Sequence, residues 1–114
     1  MEEMLKELRK SCGAVASALV GKDGLVMSSD VPDEVSLETF GIMSATIVGA
    51  SVTAATELGR EEPSKVTVDT GDLRVLIYNA GKRSLLVVAV PSDKSTEEVD
   101  ESVKDILAHA REPK

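Results

Sequence analysis

Gly81-Lys82-Arg83-Ser84 is the segment of this sequence that comes nearest to phosphate chemistry. A phosphate loop needs a glycine five residues ahead of its second glycine, so that backbone N–H groups cradle the phosphates. It also needs Ser or Thr directly after the lysine, to reach the magnesium ion. Position 76 is Leu and Lys82 is followed by Arg83, so neither condition is met. Gly21-Lys22 fails as well, with Ala16 upstream, and both segments read as hairpin turns. His109, the single histidine, lies one position off an apolar stripe with no carboxylate partner suggested for acid–base work. It reads as a surface residue near a helix C-terminus. Asp69 and Asp72 flank a turn without a ligand-spaced loop, so turn chemistry explains them better than a cation. Ser44 and Ser51 have no base nearby, and Glu57, Glu61 and Glu62 around Arg60 read as a solvated helix end.

Composition narrows the field further. One Cys (Cys12) excludes an intrachain disulfide, and with one His it leaves too few donors for a Cys/His zinc site. A formal net charge of −7 works against nucleic acid and anionic membrane, both of which favour a basic surface. Phe40 and Tyr78 are the two aromatic residues, too few for a platform on which bases or sugars stack. The 114 residues, 42% hydrophobic and 29% charged, make one globular domain spanning 1–114. No catalytic residue, metal or cofactor is expected. Residues 1–10 read as a charged helix and not as a secretory leader. Residues 39–56 are uncharged but rich in Ser and Thr, and read as a buried soluble helix with no membrane insertion. The expected setting is the cytoplasm, with Cys12 reduced and partly buried.

The elements follow from periodicity and turn residues. Met4, Leu5 and Leu8 form a narrow apolar stripe on a first helix, which Gly13 ends. Residues 14–21 and 25–28 are short apolar runs joined by Gly21-Lys22-Asp23-Gly24, which predicts a β-hairpin. A polar connection through Pro32 leads to a helix over about 33–58, with Asp33 and Glu34 in its first turn and Gly59 at its end. Residues 65–70, 73–78 and 84–90 read as three strands. The last is apolar throughout, as a central strand covered on both faces should be, whereas 65–70 is short and half polar, as befits an edge. Ser95 and Glu98 form a capping box before one final helix carrying Val99, Val103, Ile106, Leu107 and Ala110 on one face. The order α-β-β-α-β-β-β-α predicts an α/β protein of the α+β kind. A five-stranded antiparallel sheet would carry the long helix on one face and both terminal helices on the other.

The long helix has two apolar stripes. Phe40, Met43, Ile47, Ala54 and Leu58 form one, whose bulk suits a sheet surface. Gly41, Ala45, Val48, Val52 and Ala55 form the other, made of small or β-branched residues. A helix apolar on two sides must be covered on two sides, and so short a chain has too few other elements to do both. The small-residue stripe is therefore expected to pack on its own copy in a symmetric homodimer, with Val48 at the centre of the contact.

This element order resembles the Roadblock family of dynein-light-chain relatives. So do the Leu19-Val20-Gly21-Lys22-Asp23-Gly24-Leu25 hairpin, the long small-residue helix and the closing run Leu85-Leu86-Val87-Val88-Ala89-Val90. The resemblance covers nearly the whole chain. It implies a small homodimer or heterodimer that binds Ras-like GTPases, some prokaryotic members acting as GTPase-activating or scaffolding partners and eukaryotic ones serving dynein or lysosomal signalling complexes. It further implies that the edge strand around Val66 and Val68 pairs across the dimer axis into one continuous sheet. No catalytic residue is carried over. Arg60, Arg74 and Arg83 are candidates to act in trans on phosphoryl transfer, and ordinary surface charge is the simpler role for each. The expected function is a non-enzymatic homodimeric module that regulates or scaffolds a small Ras-like GTPase. The alternative is a structural adaptor of a larger motor or signalling complex, without effect on nucleotide hydrolysis.

Overall fold

A computed structural model describes residues 1–111. The first helix, α1 (Glu2–Cys12), buries Leu5, Leu8 and Cys12 and stops at Gly13, whose φ of 72° is a left-handed conformation natural to glycine. Strands β1 (Ala16–Gly21) and β2 (Val26–Asp30) form the expected hairpin. The long helix, α2 (Leu37–Glu57), begins four residues later than the sequence suggests, because Ser36 caps it by accepting a hydrogen bond from the Thr39 N–H. Asp33 and Glu34 lie in the preceding turn, where the Val35 N–H donates to Pro32 O at 3.0 Å. At the far end Gly59 (φ 69°) closes the helix, and the Arg60 N–H returns to Ala55 O at 2.9 Å.

Three strands follow: β3 (Lys65–Asp69), β4 (Leu73–Asn79) and β5 (Ser84–Pro91). The final helix is interrupted at Val103 (φ −93°, ψ −2°), giving α3 (Thr96–Ser102) and α4 (Lys104–Arg111) where the sequence predicts one helix. The break is slight, since Val99, Val103 and Ile106 are all buried on the same side. The Ser95–Glu98 capping box forms as expected.

The sheet has the order β2-β1-β5-β4-β3, with every neighbouring pair antiparallel. Strand β5 is central and buried from Ser84 to Val90 and β3 is an edge, as their apolar and mixed runs predict, and β2 forms the other edge. Alternation along each strand divides the interior into two layers. Leu19, Leu76, Tyr78, Leu86, Val88 and Val90 pack against α1, α3 and α4. Ala18, Val20, Ile77, Leu85 and Val87 form the layer beneath α2. Each fully buried Leu or Val stabilises the fold by about 1.5–3 kcal/mol before entropy is counted.

Candidate binding surface

The sheet approaches α2 closely along one line of that helix. Gly41, Ser44 and Val48 are its buried residues. A Cβ on Gly41 would run into the carbonyl oxygen of Gly24 and come within 2.9 Å of Val26 Cγ2, so only glycine lets the helix rest on the β1–β2 turn. Ala45 and Val52 pack against the same core, and Ala55 is half-buried beside them. The small-residue stripe thus faces the chain's own sheet. Of the bulky stripe, Phe40 and Ile47 are half-buried at the margin of that core, while Ala54 is exposed and Met43 and Leu58 are 49% and 74% exposed. The two stripes exchange the roles that their sizes suggest. The cause is that the sheet supplies the bulk, through Val20, Ile77, Leu85 and Val87, and a close-packed interior then admits only small residues from the helix.

Each residue expected at a dimer interface therefore has a definite place. Gly41 and Val48 are core residues of a single chain, and Ala45, Val52 and Ala55 flank them on the sheet-facing side. Val66 and Val68 lie half-buried on the edge strand β3, opposite Ile77 and Val75, and Val66 packs into the core beneath α2.

The outward side of α2 is the unusual surface. No charged residue occurs from 39 to 56, yet Ile42, Met43, Thr46, Gly49, Ala50, Thr53 and Ala54 are all exposed. A helix whose outer face meets only water normally carries charge there. The threonines do not supply polarity either. Thr46, Thr53 and Thr56 donate their hydroxyls back to the carbonyls of Ile42, Gly49 and Val52, at 2.8, 3.2 and 2.9 Å. By length and composition α2 could cross a membrane, and in this structure its inner stripe holds it on the sheet. Within the single chain the helix is buried on one side only. Ile42, Thr46, Ala50 and Thr53 belong to neither stripe of the wheel. The signal that finds them is the missing charge over five turns.

At one margin of the sheet that carries α2 runs β3, paired with β4 on one side and unpaired along the other. Its position is pinned from below. Lys65 Nζ lies 3.0 and 3.1 Å from the two carboxylate oxygens of Asp100 on α3, and the Tyr78 hydroxyl donates to the same carboxylate at 2.7 Å. Burial, together with the hydrogen bond to Asp100 and its charge, pushes the Tyr78 hydroxyl far above the ordinary tyrosine range. Burial opposes the charge on Asp100, but the hydrogen bonds from Tyr78 and Lys65 prevail and hold its carboxyl below the usual range. Arg74 Nε meets Asp69 Oδ1 at 2.7 Å and Arg74 also donates to Lys94 O at 2.9 Å, so Arg74 is tied down, whereas Arg60 and Arg83 are exposed. His109 is exposed on α4, and Ser51 donates to Val48 O at 2.8 Å. Among the described residues, no group of three or more His, Cys, Asp or Glu is placed to hold a metal ion. Burial raises the pKa of the Cys12 thiol, which donates to Leu8 O at 3.4 Å.

The fold is thus of the α+β kind, with α2 on one face of the sheet, α1, α3 and α4 on the other, and β2 and β3 at its two edges. Its family is that of the Roadblock/LC7 domain, which matches residues 1–89, and the chain belongs to it. Two uncharacterized proteins of Methanocaldococcus jannaschii, MJ0310 and MJ1340, are each 33% identical over 88 residues, 77% of this chain and 77% of theirs. Myxococcus xanthus MglB has the same fold, with a TM-score of 0.87 at 21% identity over 94% of this chain and 88% of that one. The Roadblock/LC7 domain from Streptomyces avermitilis gives 0.83 at 17% identity, over 96% of each chain.

Proposed function

We propose that the chain is a homodimeric binding module that regulates or scaffolds a small Ras-like GTPase. The observation that carries this reading is the uncharged outer face of α2 beside the unpaired edge of β3. A second copy related by a two-fold axis would cover both at once, packing α2 on α2 and continuing the sheet from β3 to β3. The family supports the partner class, because a Roadblock domain resembles modules that serve such GTPases. Association of copies is also compatible with the fold, since an MglB structure of this fold has a tetrameric arrangement. The net charge of −7 favours a partner with a basic patch, chiefly through the association rate.

The test is titration of a Ras-like GTPase from the same genome, loaded with GDP or with a non-hydrolysable GTP analogue, followed by single-turnover hydrolysis with and without this protein. Binding that depends on the nucleotide, or a changed hydrolysis rate, supports regulation. Equal binding in both states with an unchanged rate supports a structural adaptor instead. No binding to any such GTPase removes the reading.

A further inference from the structure

Two hairpin tips stand at one end of the sheet, and the β1–β2 tip meets the start of α2, with Gly24 beside Ile42. The Lys22 N–H donates to Arg83 O at 2.9 Å and holds the β1–β2 and β4–β5 turns side by side. Lys22, Lys82, Arg83 and Arg111 gather there, four of the 13 Lys and Arg in a chain whose net charge is −7. Two acids oppose them. Asp23 is occupied with the Leu25 N–H at 3.1 Å, and Glu62 lies 3.6 Å from Lys22. Among the described residues, Lys82 and Arg83 make no ion pair.

Next to these cations stand Leu25 and Met27, 68% and 58% exposed. With Lys22, Lys82 and Arg83 they line a groove of about 460 Å³, and Lys22 and Lys82 also border an adjoining hollow of about 540 Å³. The register of β1 against β2 slips between Leu19 and Val20, which leaves Met27 as an extra residue on the edge. Such a bulge twists an edge away from strand pairing and re-aims a side chain. Leu25 and Met27 are thus suited to side-chain contact and not to a ladder with another strand.

We propose that this end of the sheet is a docking surface for an extended acidic segment of a partner protein. Carboxylates of the segment meet Lys22, Lys82 and Arg83, and its apolar side chains rest on Leu25 and Met27. The cations select the segment at contact range, against the chain's net charge of −7, because carboxylates pair with them where a basic sequence is repelled. Arg83 adds geometric selectivity, since a guanidinium fork matches a carboxylate. The apolar pair adds contact area that charge alone lacks. The surface requires neither a dimer nor a nucleotide, and so stands apart from the function proposed above.

The experiment is titration of the isotope-labelled full chain with a synthetic peptide of alternating Glu and Leu, followed through backbone amide shifts. Shifts should cluster at residues 21–27 and 81–84. Lys82→Glu with Arg83→Glu should weaken binding at least about tenfold, and Leu25→Ser with Met27→Ser should weaken it as well. A peptide with Lys in place of Glu should cause no shifts at these residues. If circular dichroism shows the charge-reversed variant to be unfolded, Lys82→Ala with Arg83→Ala makes the same comparison. Absence of shifts at about millimolar peptide in low salt overturns the proposal. So do shifts confined to 42–54, or variants that bind as well as the wild type. Capture on phosphatidylglycerol vesicles that needs Lys82 and Arg83, with no peptide binding, also overturns it and makes the ligand a membrane surface.

Discussion

On its inner side α2 offers Gly41, Ser44 and Val48 to the sheet, and all three are buried; on its outer side Met43, Ala50, Thr53 and Ala54 are exposed. Both sides are uncharged and both are rich in small residues, yet only one has a counterpart. The inner side shows what complementarity looks like: glycine where the Gly24 carbonyl intrudes, valine where the β1, β4 and β5 side chains leave room. The outer side has the composition of a buried surface without the burial. A surface of that kind marks where another molecule belongs.

The sharpest way to break the comparison is to place the same charge on each side. Val48→Glu puts a carboxylate without a partner into the α2 core and should cost about 3–5 kcal/mol, visible as a collapsed urea midpoint. Ala50→Glu with Ala54→Glu should leave the fold of each chain intact by circular dichroism. Glycines give the next contrast. Gly41→Ala drives a methyl into the Gly24 carbonyl and should cost about 1–3 kcal/mol even after the helix propensity of alanine is credited. In the Ala50→Glu, Ala54→Glu background, Gly49→Ala, with no atom of its own chain within 4 Å of the added carbon, should instead stabilise the protein by about 0.5–1 kcal/mol. Equal signs for the two glycines would contradict the assignment of faces.

The smallest expected effect concerns the pin beneath β3. The Asp100 carboxyl is held below its usual range, so its contribution is complete above the ordinary aspartate pKa and is lost as pH falls through the lowered value. Tyr78 acts in the opposite sense, its contribution fading as pH climbs beyond the ordinary tyrosine value of 10.0. Asp100 is partly open to solvent, which limits its share to less than about 1 kcal/mol. Asp100→Asn should flatten the acid limb of the stability curve, measured by urea denaturation between about pH 2 and pH 5.

The layering, the central strand and one edge were legible from alternation and turn residues, whereas the rest of the strand order was not. The unbroken run Ser84 to Val90 and the half-polar Lys65–Asp69 leave little choice of centre and edge. The orientation of α2 was not legible. A helical wheel reveals two apolar stripes but carries no record of the surface each will meet, and Met43 is bulkier than Gly41. The deciding information lies at Gly24 and Val26, remote in sequence, whose backbone and side chain demand a glycine opposite. The helix start is legible in Ser36, a strong N-cap, and the acids Asp33 and Glu34 belong to the turn before it.

The central claim is that a second copy covers the outer side of α2. Equilibrium sedimentation of the wild type and of Ala50→Glu with Ala54→Glu, at about micromolar concentration, tests it most directly. The account predicts a dimeric wild type and a folded, monomeric variant. A monomeric wild type, or a variant that remains dimeric, would contradict it.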